Sequence, residues 1–152
     1  MTPKWERVYT VDEFYDTPRF GVADCGGAPH VYRSLALDAA AGDWHDGRFA
    51  LSPIAPEFAT LAAEAGAIEE RFSIAYYGGQ LEEPERDEDW GALPGERARY
   101  DALRATLAPL LAVDPTRRFV RRGEFRGRAA AVPRPRGVIC GSGFEVCWHA
   151  DG

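Results

Sequence analysis

A chain of 152 residues and 16.7 kDa matches the size of one domain, and its 45% apolar and 28% charged residues can offset chain entropy by burial, which excludes wholesale disorder. A net charge of −6 and a pI of about 5.1 disfavour a nucleic-acid surface, and no apolar run approaches the roughly 18 residues that cross a bilayer. Residues 1–10 (MTPKWERVYT) carry charges where a signal peptide is apolar, so the expected location is cytoplasmic.

The first third reads as short strands over Trp5–Tyr9, Phe20–Cys25, His30–Leu37 and Arg48–Leu51, rich in aromatic and β-branched residues and separated by Gly, Pro and Asp. An antiparallel meander is the simplest wiring. Thr10 to Glu13 fits a capping box and predicts one helical turn through Tyr15, broken by Asp16-Thr17-Pro18. The Gly26-Gly27 pair suits a two-residue hairpin turn. That register sets Val22 opposite Val31, Gly21 opposite Tyr32 and Ala23 opposite His30, with Val22, Val31, Phe20, Leu35 and Leu37 on one apolar face.

The middle is helical: Phe58, Leu61, Ala65, Ile68, Phe72 and Tyr76 recur at three- and four-residue steps from about Ala55 to a stop at Gly78-Gly79. A second helix follows from about Pro94 to Leu107, with Arg97 set to pair with Asp101 and Pro109 to end it. Between them, residues 80–91 (QLEEPERDEDWG) form an acidic loop anchored by Trp90. The last third returns to strands, with Phe119 and Phe125 on one face of 119–128 and charges on the other, and with Phe144, Val146 and Trp148 alternating against Glu145, Cys147 and His149. Residues 132–143 connect these two strands as a long hairpin. Strands, two helices, strands indicate a single α+β domain, residues 1–152, whose helices cover one face of an antiparallel sheet.

WERVYTVDEFYDTPRFGVADCGGAPHVYRSLALD, with ALPGERARYDALRATLAPLLAVDP further on, resembles a family of small bacterial proteins with no known function. The shared pattern is Tyr15-Asp16, Pro18-Arg19, Gly21, Ala23-Asp24, Gly27, Pro29-His30 and Tyr32. The resemblance implies one cytoplasmic domain and no particular reaction.

No P-loop, dinucleotide fingerprint, zincin helix or nucleophile elbow is present. The densest polar cluster, Asp16, Arg19, Asp24 and His30, could supply a general base and an anion clamp, so Asp16, Arg19 and His30 are the catalytic candidates of an alternative small hydrolase- or transferase-like reading. Asp24 and His30, however, should point to opposite faces in the two-residue register. Cys147 and His149 share a strand face, but two ligands do not make a metal site, and the three cysteines show no C-x-x-C spacing; no metal or cofactor is expected. Trp44 and His45 offer a ring and an imidazole in a loop. Arg118, Arg122, Arg126 and Arg128 form a stripe for an anion or nucleic acid, although no aromatic residue interleaves with it.

From Glu57 to Asp101, twelve acidic residues face four arginines; from Asp114 to Gly137, eight arginines face two acids. The expectation is that these blocks partly neutralise each other, with the stripe arginines contacting carboxylates of the helices or of the 82–89 loop. The preferred reading is a non-enzymatic binding or regulatory module, with a protein partner, acting through polar loops and the arginine-bearing sheet face.

Overall fold

The computed structural model describes residues 2–38, 47–129 and 133–150. Seven strands make one antiparallel sheet: β1 (Glu6–Arg7), β2 (Glu13–Tyr15), β3 (Thr17–Cys25), β4 (Ala28–Ser34), β5 (Arg48–Pro53), β6 (Phe119–Gly127) and β7 (Phe144–Ala150), in the spatial order β1-β7-β6-β5-β4-β3-β2. The helices α1 (Pro56–Tyr77) and α2 (Arg97–Leu107) fall between β5 and β6 and pack on one side, so the fold is α+β as the element order indicates.

The N-terminal segment closes this sheet on itself. Glu6 and Arg7 pair with Val146 and Glu145 of β7, whereas the next residues turn to β3: Val8 bridges to Ala23, the Tyr9 and Thr10 amides both donate to the Val22 carbonyl (2.8 and 3.1 Å), and the Asp12 amide donates to the Phe20 carbonyl (2.7 Å). One segment therefore joins strands from the two sides of the sheet order, giving a barrel. Closure also overrides the helical turn expected after Thr10. The Thr10 hydroxyl accepts the Val22 amide at 2.9 Å instead of capping a helix, residues 13–15 are strand, and Asp16 turns the chain into β3 with φ 63°.

Gly26 and Gly27, at φ 65° and 82°, make the two-residue turn, and the register runs from Cys25 opposite Ala28 to Phe20 opposite Arg33, as expected. The strand stops sooner than Leu37. Ser34 Oγ accepts the Ala36 amide at 3.2 Å and starts a single 3-10 turn over Leu35–Leu37, which takes both leucines off the sheet face assigned to them.

The barrel interior holds Val8, Ala23, Tyr32, Phe49, Leu51 and Val146, with Phe119, Phe125 and Trp148 packed against them. Ring centroids lie 5.3 Å apart for Tyr32 and Phe125, and 5.5 Å for Phe49 with each of Phe125 and Trp148. Glycine makes the room: Gly21 lies opposite Tyr32 and Gly123 opposite Trp148. On the outside, Val22 meets Ala59, Ala62, Ala65, Ile68, Leu103 and Leu107. β3 and β4 are thus buried on both faces, whereas the charged face of β6 is exposed.

The buried line of α1 also differs from the expected stripe: it is Ala59, Ala62, Ala65, Ile68 and Phe72, with Phe58 and Leu61 only flanking it. Small side chains let the helix ride on the closing segment. A Cβ at Gly66 would stand 3.5 Å from the Tyr9 carbonyl oxygen.

Candidate functional site

The three catalytic candidates are not brought together. Asp16 is exposed at the β2–β3 turn. Arg19 is buried inside one end of the barrel, its Nε donating to the Tyr15 carbonyl at 3.1 Å and its Nη1 to Ser34 Oγ at 3.4 Å. His30 is buried toward the other end, Nδ1 donating to the Ala28 carbonyl at 2.7 Å and the ring standing edge-on to Phe119 at 5.5 Å. His30 lies opposite Ala23, so Arg19 is separated from it by four residues of β3, about 13 Å at about 3.3 Å each. Asp24 faces outward and accepts the Tyr9 hydroxyl at 2.9 Å; no hydrogen bond joins it to His30 among the described residues, in keeping with the hairpin register.

The arginine stripe is neutralised differently from the expectation. Arg126 pairs with Glu145, directly opposite on β7, and its guanidinium stacks 3.9 Å from the Trp5 ring centre. Glu124 lies 3.6 Å from His149, and Arg122 is opposite His149 in register. The bidentate hydrogen bonds from Arg33 hold the Asp38 carboxyl below its usual range, and the charge of Arg118, before β6, adds a smaller pull in the same direction. The helix acids take partners other than the stripe: Glu64 pairs with Arg99 (2.7 Å) and Glu96 with Arg71 (2.7 Å), while Glu70 with Arg134 (2.9 Å) joins the acidic block to the basic one as expected. The reason is topological, because the outer face of β6 and β7 is not the side on which the helices pack. Arg128, past the strand end, forms no ion pair among the described residues.

Trp44 and His45 lie outside the described residues. The three cysteines are free thiols, Cys147 being buried, and no group of three or more His, Cys, Asp or Glu side chains is placed to hold a metal ion among the described residues. No described helix is long and apolar enough to cross a membrane.

Three features outside these candidates carry chemistry. A groove of about 390 Å³ opens between the end of α1 and the 80–91 loop, with Phe72, Leu81, Glu82, Asp89 and Arg97 in its lining. Trp90 packs edge-to-face on Phe72 (5.8 Å) and Tyr76 (5.2 Å) and remains 38% exposed, and Tyr77, 52% exposed, packs on Tyr76 (5.1 Å). Arg97 ties the loop down through the Trp90 carbonyl at 2.6 Å and Asp101 at 3.3 Å. A second cleft, of about 340 Å³, lies between α1 and the N-terminal segment, with Arg7 and Arg128 in its lining.

The third is a closed polar knot under the two helices. Burial raises the Asp12 and Glu69 carboxyls above their ordinary range; Arg104, 3.6 Å from Asp12, opposes the first shift, and the hydrogen bond from the Tyr100 hydroxyl (2.5 Å) opposes the second. Burial, then Glu69, pushes the Tyr100 hydroxyl up. A raised carboxyl takes up its proton at higher pH in the folded chain than in the unfolded one, so its contribution to stability improves as pH falls through the folded value toward the unfolded one. Glu69→Gln keeps an acceptor for Tyr100 and removes the desolvated charge. It is expected to raise the urea midpoint at neutral pH, the gain shrinking on acidification through about pH 4. A lower midpoint at neutral pH would show that the ionised form is the better partner for Tyr100.

Sequence reasoning anchored the acidic loop on Trp90 but missed the groove, because Phe72 and Tyr76 were assigned wholly to the core stripe. An exposed tryptophan within an acidic run was the available signal. No family model, curated protein or solved structure matches this chain.

Proposed function

We propose that this chain is a non-enzymatic binding module that engages an arginine- or lysine-bearing segment of a partner protein through the groove between α1 and the 80–91 loop. The observation that carries this reading is the half-exposed Trp90, packed on the groove-lining Phe72, together with loop acids that form no ion pair among the described residues. Glu82, Glu83, Glu85 and Asp87 form no ion pair among the described residues, since the loop's Arg86 is taken by Glu88 (3.2 Å) and Asp89 (3.3 Å). The Trp90 indole offers a π-face to a cation, and tryptophan and tyrosine at the centre of a patch dominate binding energy where they are desolvated. The described rings pack against one another in the barrel interior, and Arg19 and His30 lie toward opposite ends of it.

The test is fluorescence anisotropy with a labelled peptide of alternating arginine and leucine, against a glutamate-for-arginine control of the same length. The arginine peptide is expected to bind at low salt, and Trp90→Ala to weaken it by about tenfold or more. Equal binding of both peptides, or undiminished binding to the Trp90→Ala protein, would rule the groove out.

A further inference from the structure

The cleft between α1 and the N-terminal segment is lined by two arginines on a chain of net charge −6. Arg7 and Arg128 stand at its walls, both exposed, and neither forms an ion pair among the described residues. Arg7 is oriented by an aromatic ring, its guanidinium lying 4.1 Å from the centre of Tyr9. Its register neighbour Glu145 is taken by Arg126. Glu70 is the carboxylate of the lining, and it is already engaged by Arg134 at 2.9 Å and by the Ser142 hydroxyl at 3.2 Å. The arginines Arg7, Arg128 and Arg134 therefore outnumber the acid in and around the cleft.

We propose that this cleft is a binding site for a small organic anion, a carboxylate or phosphate head on an apolar body. A guanidinium fork matches either head group bidentately, and two forks that form no ion pair among the described residues line this one cleft. The body is dictated by the floor, where Val8, Ala63, Gly66 and Ala67 present small apolar surface. A volume of about 340 Å³ falls at the lower end of ligand pockets and suits one ring or a short chain with its head group. A nucleic-acid strand needs a longer basic track than the two guanidiniums that line this cleft on a chain with net charge −6.

Isothermal titration at low ionic strength with phenyl phosphate, benzoate and benzyl alcohol tests the site, since the three share a ring and differ in the head. At least one anion is expected to bind with one-to-one stoichiometry while benzyl alcohol does not, and the preferred anion identifies the head group. The double substitution Arg7→Gln with Arg128→Gln, at exposed positions, should keep the thermal midpoint and weaken that anion by about tenfold or more. Ala63→Leu should weaken it too, by filling the floor with both charges in place. Trp90→Ala should leave it unchanged, which separates this site from the peptide groove. The proposal is overturned if neither anion binds the wild-type chain at about millimolar concentration, if binding survives the double substitution, or if benzyl alcohol binds equally well.

Discussion

Gly21→Ala is expected to lower the unfolding free energy by about 3 kcal/mol or more, because nothing near the new methyl group can move aside cheaply. A Cβ there would lie 2.3 Å from the Thr10 carbonyl oxygen and 2.8 Å from the Tyr32 hydroxyl. Both belong to the closure: the Tyr32 hydroxyl, fully buried, donates to that same carbonyl at 2.9 Å. The methyl group must break this hydrogen bond or push the N-terminal segment off β3, and a buried donor left unpaired itself costs about 1–3 kcal/mol. Gly127→Ala is the matched control, since a Cβ at that strand position meets its nearest atom only at 3.9 Å. Urea unfolding of the two variants decides the matter. Indistinguishable midpoints would mean that the segment is not held against β3 as described.

The second large effect is expected from Phe49→Ala, at about 3–5 kcal/mol by the behaviour of buried aromatic truncations. Phe49 is 1% exposed and sits between Tyr32 (6.0 Å), Phe125 and Trp148. The cavity would not collapse readily, because the surrounding rings are carried by strands fixed in a closed hydrogen-bonded cycle. Loss of the near-ultraviolet circular dichroism of Trp148 should accompany the drop in midpoint. A cost under about 1 kcal/mol would place the stabilising core outside the barrel, between its wall and the alanine face of α1.

These two positions show how differently charge and packing weigh in this chain. The ion pairs of the helices are mostly exposed, Arg99 with Glu64 and Arg71 with Glu96 among them, and such pairs each contribute about 0–1 kcal/mol. Their part is to keep the acidic middle segment from repelling itself. Where acids exceed local arginines, as in the 80–91 loop, or arginines exceed acids, as at Arg7 and Arg128, the surplus forms no ion pair among the described residues.

Much of the architecture was legible from local pattern. The alternation of Phe119 and Phe125 against Arg122, Glu124 and Arg126 is a property of an extended chain with one face wet, and it survives in β6. The Gly26-Gly27 turn fixed the hairpin register because positive φ at two successive residues is open to glycine and because a slip would turn Val22 and Val31 off their face. The helix stops at Gly78-Gly79 and before Pro109 followed from backbone chemistry alone. Closure was not legible, since a capping box and an edge strand can be written with the same residues from Thr10 to Glu13. The choice between them depends on β3 offering hydrogen-bond partners at Val22 and Phe20, which no local spacing records. The alanine face of α1 was hidden for a related reason: alanine weighs little in a hydrophobic pattern, yet it is what a helix needs to approach a strand closely. Residues of one hairpin, such as Arg19 and His30, were set apart by the register that puts His30 opposite Ala23 and by the rise of an extended strand. Arg7 and Arg128, from opposite ends of the chain, were placed on one cleft by the pairing of β1 with β7 and of β7 with β6. Sequence determined the elements, because their signals lie within a few residues; tertiary structure decided the sites, because a site is made by hydrogen-bonded neighbours that no local spacing records.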